Sequence, residues 1–244
     1  MTQVSLINEE ERDQLAPLLN RQSASDALAS YCVLIHPSEK VKLYVCYDGS
    51  GNPSGFLALA QTGMDLFRPL AVPFVASSKN LNDLLKAALT PGQPVLLNLP
   101  LEQRDWLDEN LILSETKISE LLRLDPMGFK PILNVLVLKV DMPSGLPRFE
   151  IRTKSGSYAA AGINWIGDRF SEIYLEADRE AQVRGLGLSV ISAMSKQLLD
   201  ENRIPLFGLD SQSEFEFKDL SDMGYRSTGT RSLIAQVLRR PQKA

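Results

Sequence analysis

Apolar and polar positions alternate along this chain in blocks short enough to be read as separate elements. Val41 to Tyr47 is an apolar run with alternation, and Asp48-Gly-Ser-Gly-Asn-Pro53 is a dense turn signal leading into Gly55 to Ala60, which predicts a β-hairpin. Leu70 to Val75 reads as another strand. Leu81, Leu84, Leu85, Ala88 and Leu89 recur at helical spacing, and Pro94 to Leu99 returns to a short strand. Upstream, Asn8 to Leu19 and Ala24 to Tyr31 read as helices, the first with acidic residues in its opening turn, where they suit the helix dipole. Downstream, Glu102 to Asn110 predicts a short helix, Leu111 to Leu124 carries strand character, and Ile132 to Val140 reads as a clear β run.

Asp141-Met-Pro-Ser-Gly-Leu-Pro147 marks the natural boundary between two halves. Beyond it, Phe149 to Thr153, Tyr158 to Trp165 and Phe170 to Ala177 read as three antiparallel strands. On the third, alternation puts Ile173, Leu175 and Ala177 on one face and Glu172, Tyr174 and Glu176 on the other. Gln182-Val183-Arg184-Gly185-Leu186-Gly187 then stands between this strand and an amphipathic helix from Leu188 to about Glu201. Two glycines at a helix start let a ligand approach the backbone, and the unpaired N–H groups there suit a phosphate. Close packing of helix on strand is the other reading, and the loop alone leaves both open. Ile204 to Asp210 is a short apolar run, followed by a polar stretch and by Leu220 and the pair Gly224-Tyr225.

Strand, Gln/Arg-x-x-Gly-x-Gly, helix, strand, helix and a small-plus-aromatic pair, in that order over about residues 148 to 238, resemble the GNAT superfamily of acetyl-CoA-dependent N-acyltransferases. The likeness extends to Glu172-Ile173 before the loop and Ile204 to Phe207 after it. It implies an α+β fold with a mixed, mostly antiparallel sheet flanked by helices. It also implies acyl transfer from acetyl-CoA, or a related acyl-CoA, to a primary amine by direct attack. By the same resemblance Glu172 is the first choice for base or amine anchor and Glu176 the second, although charged strand faces are also commonly solvent faces. Ala177 would pair with the pantetheine arm, and Gln182, Val183, Arg184, Gly185, Leu186, Gly187 and Leu188 would hold the pyrophosphate. Two positions depart from the pattern. Ser213 stands where many members have Asn, and Leu220 where many have a tyrosine acid. A non-catalytic CoA-binding or interaction module that keeps the fold is therefore the alternative. Residues 1–140 repeat the element order without the glycine loop, reading Ala76-Ser-Ser-Lys-Asn80 in its place, which suggests a degenerate GNAT-like half before a GNAT domain at 148–240.

Composition narrows the partners. The chain has 244 residues, 44% hydrophobic and 23% charged, with a formal net charge of −4, and no apolar run approaches the roughly 18 residues of a membrane span. This predicts a cytoplasmic protein. The acidic balance argues against nucleic acid as a partner, and the small-molecule amine acceptor is what the resemblance implies. Cys32 and Cys46 lie in apolar stretches and read as buried thiols, and the single His36, before Pro37, reads as a surface or turn residue. Glu214, Glu216 and Asp219 either meet a cationic substrate or face water. Gly185 and Gly187 with Asp210 downstream imitate a dinucleotide fingerprint, but Val190 replaces its third glycine and Asp178 to Gln182 separate the strand from the loop.

Overall fold

The computed structural model describes residues 3–62, 65, 67–143, 145–211 and 217–241. The chain forms two compact units, Met1–Ser119 with Arg231–Ala244, and Glu120–Thr230. Among the described residues no helix is long and apolar enough to cross a membrane.

The first unit contains β1 (Gln3–Ile7), a 3-10 helix (Glu9–Leu18), α1 (Ala27–Leu34), β2 (Val41–Tyr47), β3 (Pro53–Ala60), β4 (Leu70–Val75), α2 (Ser78–Ala88), β5 (Val95–Pro100) and the start of β6 (Leu111–Leu124). It is completed by the end of the last strand, β12 (Tyr225–Arg239), giving the sheet order β1-β2-β3-β4-β5-β12-β6. Local chemistry explains most of these elements. Asn8 and Glu11 form a capping box at the 3-10 helix. Asp48 accepts from the N–H groups of Ser50 and Asn52, closing the β2–β3 turn around Gly51 at φ +82°. Leu81, Leu84, Leu85 and Ala88 form the buried stripe of α2. The 3-10 helix and α1 cover one face of the sheet, with Leu15, Cys32 and Val33 against Leu43, Val45 and Phe56.

The second unit repeats this order: β7 (Leu138–Asp141), β8 (Pro147–Arg152), β9 (Tyr158–Ile166), β10 (Phe170–Ala177), α3 (Arg179–Val183), α4 (Leu186–Asp200), β11 (Ile204–Asp210) and α5 (Phe217–Met223). Its sheet order is β7-β8-β9-β10-β11-β6-β12. Each unit thus takes the strand beside its fifth strand from the far half of the sequence, β12 beside β5 and β6 beside β11. The segment at 141–147 lies within the second unit, where residues 142–146 join β7 to β8 with no counterpart of the first unit's two opening helices. Leu186, Val190, Ile191, Met194 and Leu198 of α4 bury against Ile151, Ala161, Ile163 and Ile173. Tyr225 is fully buried beside this helix. Ser195 spends its one hydroxyl proton on the Ile191 carbonyl, so the Tyr225 hydroxyl, 2.7 Å away, donates to Ser195 Oγ.

Four local expectations are corrected. β1 has no place in the sequence reading, yet it pairs residue for residue with β2 from Gln3↔Tyr47 to Ile7↔Leu43. Ile132 to Val140 is a strand only from Leu138, because the chain before it leaves the sheet to follow α4. There the Ile132 N–H donates to Ser192 Oγ at 2.7 Å and Asn134 Nδ2 to Ser189 Oγ at 3.1 Å, bonds that satisfy two buried serines. The first helix and the one expected at Glu102 to Asn110 are 3-10 segments, the latter at Leu101–Trp106. His36 is neither exposed nor a simple turn residue. At 4% exposure it bridges the Tyr31 hydroxyl (Nδ1, 2.8 Å) and the Gln61 carbonyl (Nε2, 3.1 Å). A carbonyl only accepts, so Nε2 carries the proton of the neutral ring and Nδ1 accepts from Tyr31. The cysteines are buried as read, and burial pushes the Cys32 thiol up to about 12.

Two outcomes follow from this packing. Burial lowers the His36 pKa, assisted by Lys40 and Arg12 and opposed by the bond to Gln61. The unfolded ring titrates near its ordinary value of about 6.5, so the stability His36 contributes is full above that pH and is lost as pH falls toward the folded pKa. The melting temperature of the wild type therefore drops more steeply between about pH 7.5 and about 5.5 than that of His36→Gln, and parallel curves would contradict the buried clasp. Gly224 has φ +115°, and a Cβ there would lie 2.6 Å from the Gly128 carbonyl oxygen. Gly224→Ala is expected to cost at least about 2 kcal/mol, read as a lower urea midpoint at unchanged slope.

Candidate functional site

The parallel ladder between β10 and β11 runs only from Phe170↔Ile204 to Ile173↔Phe207, although both strands continue. Beyond that point they part. α3 and α4 close the connection at the mouth of this opening. Asp178 caps α3 by accepting from the Ala181 N–H, and its second oxygen accepts from the Tyr158 N–H. These two backbone donors hold the Asp178 carboxyl below its ordinary range. Gly185, at φ +68°, then reverses the chain into α4 without offering a side-chain cap. The Arg184 and Gly185 N–H groups are spent on Glu180 and Gln182 carbonyls. Those of Leu186, Gly187 and Leu188 begin a 15-residue helix and have no acceptor within it. Gln182 reaches back into the opening, where its Nε2 donates to the Ala177 carbonyl at 3.0 Å. Its Oε1 is buried with no hydrogen-bond partner in the protein, a costly state unless water or a ligand supplies a donor.

Of the residues singled out from sequence, Gln182, Gly185, Leu186, Gly187 and Leu188 come together at this mouth. Val183 is exposed, and Arg184 is turned to Ser157 Oγ at 3.2 Å and Glu180 at 3.3 Å. The Ala177 carbonyl is occupied by Gln182. Ser213, Glu214 and Glu216 lie outside the described residues. Leu220, in place of a tyrosine, is fully buried in the hydrophobic cluster of the unit.

Glu172, Tyr174 and Glu176 share one face of the sheet, opposite Ile173, Leu175 and Ala177, which meet the core. The two carboxylates sit in different surroundings. Glu176 is half exposed and ion-paired with Arg148 at 2.6 Å. Arg148, only 11% exposed, also donates to the Tyr174 hydroxyl at 2.5 Å and the Tyr158 hydroxyl at 2.6 Å. Burial alone would lower the Arg148 pKa, but its bonds to Glu176 and Tyr158 and the Coulombic pull of Tyr174 and Glu176 outweigh burial and raise it. The Tyr174 ring lies across Gly162, where a Cβ would come within 2.3 Å of it. Glu172 instead accepts from Trp165 Nε1 at 2.6 Å and Asn164 Nδ2 at 3.3 Å. The arrangement combines a fixed carboxylate, a row of hydroxyls and a helix start that suits an anion. Sequence alternation identified Glu172 and Glu176, but Arg148, Tyr158, Asn164 and Trp165 carry no motif and emerge only from strand register.

The first unit offers a contrasting opening. Its parallel ladder holds only Leu70↔Leu96 and Ala71↔Leu97. Gln103 Nε2 donates to the Val75 carbonyl at the end of β4 and leaves its Oε1 buried without a partner, as Gln182 does, but Ser77 Oγ caps α2 by accepting from the Asn80 N–H.

No protein-family model matches the sequence, and no curated protein matches it. Solved structures do match. A tandem GNAT protein from the clavulanic acid biosynthesis pathway aligns over 100% of both chains with a TM-score of 0.58 at 11% identity. A GCN5-related N-acetyltransferase-like protein from Streptococcus suis covers 93% of this chain and 98% of its own, with a TM-score of 0.61 at 13% identity. A Drosophila protein covers 99% of this chain and 100% of its own, with a TM-score of 0.66 at 15% identity. At such identities the likeness is one of fold: this chain has the α+β fold of the GNAT acetyltransferases, in two related halves.

Proposed function

We propose that this chain is an acyl-CoA-dependent N-acyltransferase whose second half binds the acyl-CoA and acylates a primary amine by direct attack. The observation that carries this reading is the opening between β10 and β11, where the N-terminus of α4 lies beside a buried Gln182 Oε1 that lacks a donor. Leu186, Gly187 and Leu188 would bind the pyrophosphate through backbone N–H groups and the helix dipole. Gln182 Oε1 would accept from an amide N–H of the pantetheine arm. The acyl-CoA supplies an activated acyl group, and the amine must lose a proton to attack it. Glu172 is the group suited to take that proton, because Trp165 and Asn164 fix its orientation. The buried Leu220 supports a second reading, CoA binding without transfer, since it puts no acid where many members of the superfamily have tyrosine.

Titration calorimetry with acetyl-CoA tests the site. One molecule is expected per chain, because Ser77 caps the corresponding helix start of the first half, whereas Gly185 leaves that of α4 uncapped. A Cβ at Gly185 meets open space, so Gly185→Glu sets a negative charge at the helix start and weakens binding by at least about tenfold, while Gly185→Asn, uncharged and among the side chains that best tolerate left-handed backbone, retains it. If neither acetyl-CoA nor CoA binds the folded wild type, the acyltransferase reading falls.

An amine panel monitored by release of free CoA thiol separates enzyme from binding module. Glu172→Gln is expected to lower kcat by about a hundredfold or more with acetyl-CoA affinity intact. Saturable binding with no release from any amine would favour the non-catalytic reading.

A further inference from the structure

β9 and β10 run in antiparallel register with one interruption. Glu172 faces Trp165 and Ile173 faces Ile163, so Asn164 is an extra residue with no partner of its own. This is a β-bulge, which bends the strand and re-aims a side chain. In a regular strand Asn164 and Trp165 would point to opposite faces. Here both reach the same carboxylate, Trp165 Nε1 to Oε2 at 2.6 Å and Asn164 Nδ2 to Oε1 at 3.3 Å. Each is a donor that cannot accept at that nitrogen, so together they fix Glu172 in one orientation. The indole is 2% exposed, which makes its own displacement costly.

We propose that Asn164 and Trp165 are positioning residues for the reaction, brought onto one carboxylate by the β9 bulge so that they orient Glu172 toward the amine. This inference rests on the reading of Glu172 as base or amine anchor. The competing explanation is structural, with Glu172 present only to satisfy a buried indole N–H.

Two measurements decide between them, and the first needs no turnover. The chain has two tryptophans, Trp106 and Trp165, so a 15N-labelled sample gives two indole N–H signals. The Trp165 signal, assigned by its loss in Trp165→Phe, is expected far downfield, and Glu172→Gln should move it upfield while leaving the Trp106 signal in place. A Trp165 signal indifferent to Glu172→Gln would overturn the contact and the proposal with it. The second is a kinetic split. Trp165→Phe keeps the ring and loses the donor, and Asn164→Ala removes the weaker donor at a partly exposed site that puts folding at less risk. Both are expected to lower kcat, Trp165→Phe by about tenfold to a hundredfold, with KM for acetyl-CoA changed less than about twofold. Unchanged kcat in both folded variants assigns Glu172 a structural duty and sinks the proposal. A wild type that releases no CoA from any amine overturns the acyltransferase reading instead, while the indole spectrum still reports whether the carboxylate is held.

Discussion

A parallel ladder that stops before its strands do leaves backbone donors and acceptors inside the protein, and each needs a partner. Both halves of this chain face that constraint and meet it differently. After Ala71↔Leu97, β4 and β5 part, and the Val75 carbonyl is met by Gln103 while Ser77 caps the following helix. After Ile173↔Phe207, β10 and β11 part in the same way. Gln182 meets the Ala177 carbonyl, and Gln182 and Gln103 alike leave Oε1 without a partner, but Gly185 has no side chain with which to cap α4. The two openings thus differ at the helix start, which a serine caps in the first half and no side chain caps in the second.

The opposite face of the second sheet follows from a different shortage. The first half covers its sheet with the 3-10 helix and α1, and that face is apolar. Between β7 and β8 only residues 142–146 are available, too few for two helices. The corresponding face is polar and aromatic, with Arg148, Glu150, Tyr158, Tyr174 and Glu176 satisfying one another. A face whose charges are internally paired can stand in water, whereas an uncovered apolar one invites association. Gly162 is part of the same solution, since only a residue without Cβ leaves room for the Tyr174 ring beside Arg148.

The sequence made legible whatever depends on local periodicity. β2, β4 and β11 fall on their apolar runs, and Glu172, Tyr174 and Glu176 share a face as their alternation requires. Illegible were features set by distant partners. Ile132 to Val137 has the composition of a strand, but Ser189 and Ser192 of α4 offer its backbone and Asn134 a stronger claim. His36 reads as a turn residue beside Pro37 until Gln61 and Tyr31 close over it. The exchange of β6 and β12 between the halves has no local signature, because each strand keeps its pattern whichever sheet it joins. The bulge at Asn164 is likewise a property of two strands in register, so Trp165 looked like an ordinary strand aromatic.

Leu220 bears on the chemistry less than its conspicuous departure suggests. A tyrosine acid matters most when the leaving group is a strong base, and a thiolate is a weak one, its conjugate acid ionising near 8.5. In the proposed reaction a core leucine there would therefore forgo only a modest contribution at neutral pH, while Leu220 shares its buried cluster with Met223 and Tyr225. An amine is the opposite case. At neutral pH it arrives as an ammonium ion whose pKa lies near that of lysine, about 10.4, and it cannot attack until a base or a water relay takes its proton. On the proposed acyltransferase reading the demand on the protein would fall on the carboxylate side of the reaction, where Glu172 accepts from Trp165 and Asn164.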